Sequence, residues 1–127
     1  MPKEVITPKN VHRPRGYSHA YKCGNTIYVA GQIGWDEEGK LVGEGNVVAQ
    51  TERAYENLKR VLEAAGASIS DIVFMKIYTL DLEGFNKTAD IRRKYFGKHF
   101  PATTLIVPVG LDEPGTLIEV EAIAVVD

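Results

Sequence analysis

Two carboxylates stand two residues apart near the end of the chain, in the run Ile118-Glu119-Val120-Glu121-Ala122-Ile123-Ala124. On a strand both would share one face. Like charges at that range raise the pKa of one of them, which is one way to tune a carboxylate for acid–base work. An ion pair with a lysine or arginine across an interface is the competing reading. Tyr17 and His19 have the same spacing, so a strand over 17–22 would place a phenol beside an imidazole that titrates near neutrality. A half-buried interface tyrosine and a histidine filling a polar interface position are the alternatives. Gln32 follows Gly31, so its amide could meet a ligand where the backbone is left open. Thr103 and Thr104 offer hydroxyls, although β-branched residues also satisfy plain strand propensity there. Cys23 precedes a Gly-Asn turn and has no adjacent base, which argues against a nucleophilic role. Trp35, beside the acidic turn 36–38, reads either as a lid over a cleft or as a surface aromatic.

These residues need elements to hold them. Residues 17–22 and 26–32 read as two strands joined by the turn Cys23-Gly24-Asn25. Asn46 is an N-cap, after which Val47, Thr51, Ala54, Leu58, Val61, Leu62 and Ala65 draw one apolar helical stripe that Gly66 stops. A strand over 72–82 follows. A second helix over about 85–98 has an inner face of Phe85, Ala89, Tyr95 and Phe96, interrupted by Arg92. Strands over 103–107 and 116–126 close the chain. The order β-β-α-β-α-β-β predicts an α+β single domain over residues 1–127, one sheet with two helices packed on one face. The other face stays apolar as well: Val73, Met75 and Ile77 alternate with Ile72, Phe74 and Tyr78. A half-exposed sheet should be polar on its outer side, so that face calls for a partner, and another copy of a chain this short is the simplest one.

Bulk composition narrows the class. With 44% hydrophobic and 25% charged residues, 127 residues suffice for one ordinary core. One cysteine forms no internal disulfide, and it assembles no metal cluster with three scattered histidines. A polar start and the lack of a long apolar run point to a cytoplasmic protein outside the membrane. The net charge of −2 argues against a dedicated nucleic-acid binder.

Taken together, Gly16-Tyr17-Ser18-His19-Ala20, Ala30-Gly31-Gln32-Ile33, Gln50-Thr51 with Glu56-Asn57-Leu58-Lys59, Leu62-Glu63-Ala64-Ala65-Gly66-Ala67, Asp71-Ile72-Val73, Tyr95-Phe96, Phe100-Pro101-Ala102 and the closing 118–124 run resemble the reactive-intermediate deaminase family, RidA or YjgF. The resemblance implies a chorismate-mutase-like fold, a homotrimer with its sheets turned inward, and small-molecule clefts between subunits. It also implies hydrolysis of enamines and imines to 2-oxo acids and ammonia without metal or cofactor. By the same resemblance Glu119 orients the attacking water and Tyr17 lines the cleft.

One position departs from the family. Its deaminases hold the substrate carboxylate with the arginine of a Pro-Ala-Arg-Ser segment, and here Pro101-Ala102-Thr103-Thr104 puts Thr103 in its place. Losing a bidentate guanidinium removes charge-assisted bonds worth about 1.5–3 kcal/mol each. Arg15 and His19 are the nearest sequence candidates to replace it. Unless another cation reaches in, the leading reading is an enamine or imine deaminase whose substrate is not held by the usual arginine, larger or less acidic than a small amino-acid-derived imine. Two further readings stand beside it: a non-catalytic small-molecule-binding protein, and the ribonuclease or translation-inhibitor activity attributed to some relatives. The last lacks an evident His–His or His–Lys arrangement.

Overall fold

The alternation along 118–125 is a strand, and it runs through the middle of the sheet. The computed structural model describes residues 2–127. Its strands are β1 (Lys3–Ile6), β2 (Ala20–Cys23), β3 (Thr26–Gln32), β4 (Ile72–Thr79), β5 (Ala102–Ile106) and β6 (Ile118–Val125), with helices α1 (Val47–Ala64), α2 (Leu82–Phe85) and α3 (Ala89–Phe96). They form one sheet in the order β1-β2-β3-β6-β4-β5, antiparallel except for the β4–β5 pair. The architecture is the α+β, chorismate-mutase-like fold that the pattern and the resemblance predict.

The helix side of the sheet is the core. Ile118, Val120, Ala122 and Ala124 are buried there with Ile27, Val29, Met75 and Ile77, against Ala54, Leu58, Val61 and Leu62 of α1. Asn46 caps α1 by accepting from the Ala49 N–H at 3.1 Å. Gly66, at φ +80°, follows the helix end. On the helix-free side, cross-strand register aligns Val5, Tyr21, Tyr28, Ile123, Phe74 and Ala102 in a row across all six strands. Tyr28 is 50% exposed there, so the apolar outer face expected from the alternation is present.

Three elements differ from the sequence expectation. The polar start of the chain contains a strand, β1, whose outward residues are exposed and whose pairing with β2 no local pattern announces. The strand expected over 17–22 begins only at Ala20, leaving Tyr17 and His19 in the preceding loop. The second helix is two pieces, because Asp81 caps a short α2 and Thr88 turns its hydroxyl onto the Phe85 carbonyl at 2.6 Å. Arg92, which broke the stripe of that helix, lies over the rings of Phe96 and Phe100. Among the described residues no helix is long and apolar enough to cross a membrane.

Candidate functional site

β3 and β6 pair in register from Thr26–Val125 to Val29–Ala122, then slip by a bulge before Gln32 meets Val120. The bulge opens the strand pair at Ala30 and Gly31. Glu119, on the helix-free side of β6, lays its carboxylate over Gly31. A Cβ at position 31 would stand 2.6 Å from the Glu119 carboxyl carbon, so any larger residue there has to displace the carboxylate. The two residues form the floor of a cleft of about 630 Å³.

Loops build the walls. Tyr17 and His12 lie on one side, with the His12 Nε2 3.0 Å from the Tyr17 hydroxyl. Trp35 packs edge-on against His12 at 5.0 Å between ring centroids, so it is a cleft wall. Arg13 and Arg15 reach the mouth; both are exposed, and among the described residues neither has an ion-pair partner. Asp112 and Glu113 line the cleft as well, with Glu37, which is tied to Arg53 at 2.8 Å. Two buried amides of α1 hold these loops. Asn57 donates to the carbonyls of Ile33 and Trp35, both at 2.9 Å. Gln50 donates to those of Gly43 and Gly115 and accepts from the Leu117 N–H.

The electrostatics follow from this arrangement. Burial first, then the charges of Glu121 and Asp112, push the Glu119 carboxyl above the usual carboxylate range. Burial, with Glu113 and Glu119 nearby, raises the Tyr17 hydroxyl and keeps it protonated. Burial, helped by His19 and Arg53, lowers His12 to about 4, so its ring is neutral at physiological pH. Glu121 accepts a short hydrogen bond from the Tyr78 hydroxyl, and that bond is the main reason Tyr78 is pushed up to about 12.

Glu119, Tyr17 and Gly31 therefore come together as the sequence suggests. Gln32 and His19 sit behind the wall: both are buried and bonded to each other at 3.0 Å. His19 also donates to the His12 carbonyl at 2.7 Å, so it is a structural histidine and offers no cation to the cleft. Thr103 and Thr104 are on β5, two strands from β6. Register places Thr103 about 10 Å across the sheet and about 10 Å along it from Glu119, and its hydroxyl is spent on the Pro101 carbonyl at 2.8 Å. Thr104 shares an open-face row with Lys76 and Glu121. Sequence reasoning missed His12 and Arg13. Nothing local marks His12, which reaches the cleft by a loop, and Arg13 lies two residues before the Arg15 that the sequence did single out. It also missed that His12 and His19 meet, with ring centroids 4.8 Å apart. Because His19 has both nitrogens engaged and is 1% exposed, the two do not form an acid–base pair for RNA cleavage.

The family model described as Endoribonuclease L-PSP matches residues 9–126. A RutC family protein of Pyrococcus abyssi is 44% identical over 98% of each chain. The 3-aminoacrylate deaminase RutC of Acinetobacter baylyi is 35% identical, again over 98% of each. A 2-iminobutanoate/2-iminopropanoate deaminase of Dermatophagoides farinae is 32% identical, over 99% of this chain and 98% of the relative. Among solved structures, the YjgF gene product from E. coli superposes with a TM-score of 0.87 at 31% identity, over 96% of this chain and 98% of that one.

Proposed function

The chain belongs to the Endoribonuclease L-PSP family, the RidA/RutC group that includes imine deaminases, and on that premise we propose that it hydrolyses a carboxylate-bearing enamine or imine to a carbonyl compound and ammonia. The observation that carries this reading is the Glu119 carboxylate seated over Gly31 on the cleft floor. Glu119 takes a proton from a water as that water attacks the C=N carbon, and passes it to the nitrogen, giving a carbinolamine. The carbinolamine collapses as its hydroxyl proton moves by way of Glu119 to the nitrogen, the C–N bond breaks, ammonia leaves and a carbonyl remains. Arg15, with Arg13, supplies the charge that Thr103 lacks and holds the substrate carboxylate at the mouth. The apolar row through Tyr28 and Ile123 joins subunits into a homotrimer, with the small-molecule clefts between them; Thr103 and Thr104 then act from a neighbouring subunit's edge.

The test is ammonia release from 2-iminopropanoate generated in situ. The natural protein turns it over, Arg15→Ala raises KM by about 10- to 100-fold, and Glu119→Gln abolishes the rate. An inactive natural protein that Thr103→Arg activates would refute the Arg15 assignment and keep the chemistry. Inactivity of both would leave a binding protein. Light scattering reads the assembly: Tyr28→Lys brings the trimer to smaller species, and an unchanged mass would remove the open face from the interface.

A further inference from the structure

The reading above gives no role to His12, which lines the cleft. His12 is 3% exposed, lies against Trp35, and turns Nε2 to the Tyr17 hydroxyl at 3.0 Å. We propose that His12 is a positioning residue that donates to the Tyr17 oxygen and so leaves the Tyr17 hydrogen to point into the cleft, where it recognises a ligand atom that accepts.

Proton directions follow from a chain of contacts that begins inside the sheet. The Gln32 amide nitrogen lies 3.2 Å from the Ala30 carbonyl and 3.0 Å from His19 Nδ1, so both of its hydrogens are used. The reversed amide would face one acceptor oxygen with another. An amide nitrogen only donates, so His19 Nδ1 accepts and carries no proton. His19 is then the Nε2–H tautomer, and that hydrogen goes to the His12 carbonyl at 2.7 Å. The backbone of His12 is thereby held from behind.

The His12 ring has its own constraint. Its Nδ1 is buried and, among the described residues, without a partner. A neutral ring carries one N–H. On Nδ1 that donor would be orphaned in the interior; on Nε2 only a lone pair is left unmet, and unmet buried acceptors are the more tolerable of the two. The Nε2–H therefore points at the Tyr17 oxygen. The lowered His12 pKa and the raised Tyr17 pKa keep both groups neutral near pH 7. Tyr17, committed as an acceptor on its His12 side, donates on the other. It thus selects a carboxylate or carbonyl oxygen, or the lone pair of a neutral imine, and discriminates against an ammonium or iminium hydrogen at that point.

The proposal rests on Tyr17 facing the ligand, as in the deaminase reading, but one arm of its test does not need turnover. Nitrogen-15 NMR of the histidine rings at neutral pH should show His12 and His19 as Nε2–H; an Nδ1–H His12 would overturn the proposal. The second arm is a double-mutant cycle on kcat/KM for 2-iminopropanoate. His12→Phe and Tyr17→Phe should each lower it about tenfold, and the double variant should be no worse than Tyr17→Phe alone. His12→Gln, whose amide nitrogen can stand in for Nε2, should recover most of the loss. Additive losses would make His12 a packing residue and end the proposal. If the natural protein turns over no imine, the deaminase reading fails by itself, and the same cycle run on the affinity for 2-oxopropanoate decides the role of His12.

Discussion

The same two strands, β3 and β6, do different work at their two ends. From Thr26 to Val29 they pair without interruption opposite Ala122–Val125, and the helix-free face carries Tyr28, Ile123 and Val125. Beyond the bulge the outward positions of β6 become Glu121 and Glu119, and the facing position of β3 becomes Gly31. The helix-side residues do not change character: Ala124, Ala122, Val120 and Ile118 are all buried. The core thus runs uniformly under a surface that switches from apolar to acidic over four residues. A register slip of one residue is enough to seat a carboxylate over bare backbone, and the helix side stays regular enough to keep it there.

The comparison is broken most severely at the acidic end. Glu119→Gln keeps the shape and removes the base, so turnover of an imine substrate should fall by about 10²- to 10⁴-fold. Its stability should move the other way. The folded-state pKa of Glu119 is raised, so the wild-type carboxyl contributes stability below its unfolded pKa and loses it as pH rises through the folded one. The variant should therefore melt higher than wild type at neutral pH. The same shift sets the acid limb of the pH–rate profile above the ordinary carboxylate range, and Glu121→Gln should move that limb down. A limb at the usual carboxylate pKa would show that Glu119 is not desolvated in the working protein.

The regular part breaks differently. Leu58 is fully buried under β6, and Leu58→Ala should cost about 2–5 kcal/mol in urea unfolding. The activity of the molecules that remain folded should be unchanged. Loss of activity at full folding would mean that α1 tunes the cleft as well as supporting it.

What the sequence disclosed divides along the same line. Wherever burial imposes a period it was legible: the α1 stripe with its Asn46 cap, the alternation of β6 and the apolar outer face appear as read. In β4, by contrast, a register shift between Ile72 and Phe74 buries Ile72 with Met75 and Ile77 and turns Val73 outward. The cleft depends on features without a period. Tyr17 and His19 share a loop rather than a strand, because their contacts are with His12 and Gln32 and not with a strand partner. Gln50 and Asn57 sit on the buried face of α1 as polar residues, invisible to an apolar count, and they fix the very loops that form the walls. Glu119 and Gly31 were each found, and a glycine within a strand itself signals a bulge or a close approach by another group; that the approaching group is Glu119 depends on the pairing of β3 with β6, which no local pattern gives.

Gly31→Ala tests that contact directly. The added Cβ collides with the Glu119 side chain, and the overpacking should cost about 1–3 kcal/mol with a displaced carboxylate and a reduced rate. In a Glu119→Ala background the same substitution has room, so its stability cost should shrink. Equal costs in both backgrounds would move the strain to the backbone of the bulge and leave the glycine unexplained by the carboxylate.

The smallest effect is expected where the two ends meet. Glu121 lies between the apolar row of Ile123 and the row of Glu119, and its carboxylate is engaged by Tyr78. Tyr78→Phe removes that donor at a cost of about 1–2 kcal/mol. Its sharper consequence is electrostatic. If Tyr78 holds the Glu121 charge off Glu119, the freed carboxylate adds to the repulsion, and the acid limb of the pH–rate profile climbs. If the limb stays fixed, Glu121 belongs energetically to its row with Lys76 and Thr104, and the acidic end of β6 contains one functional carboxylate rather than a coupled pair.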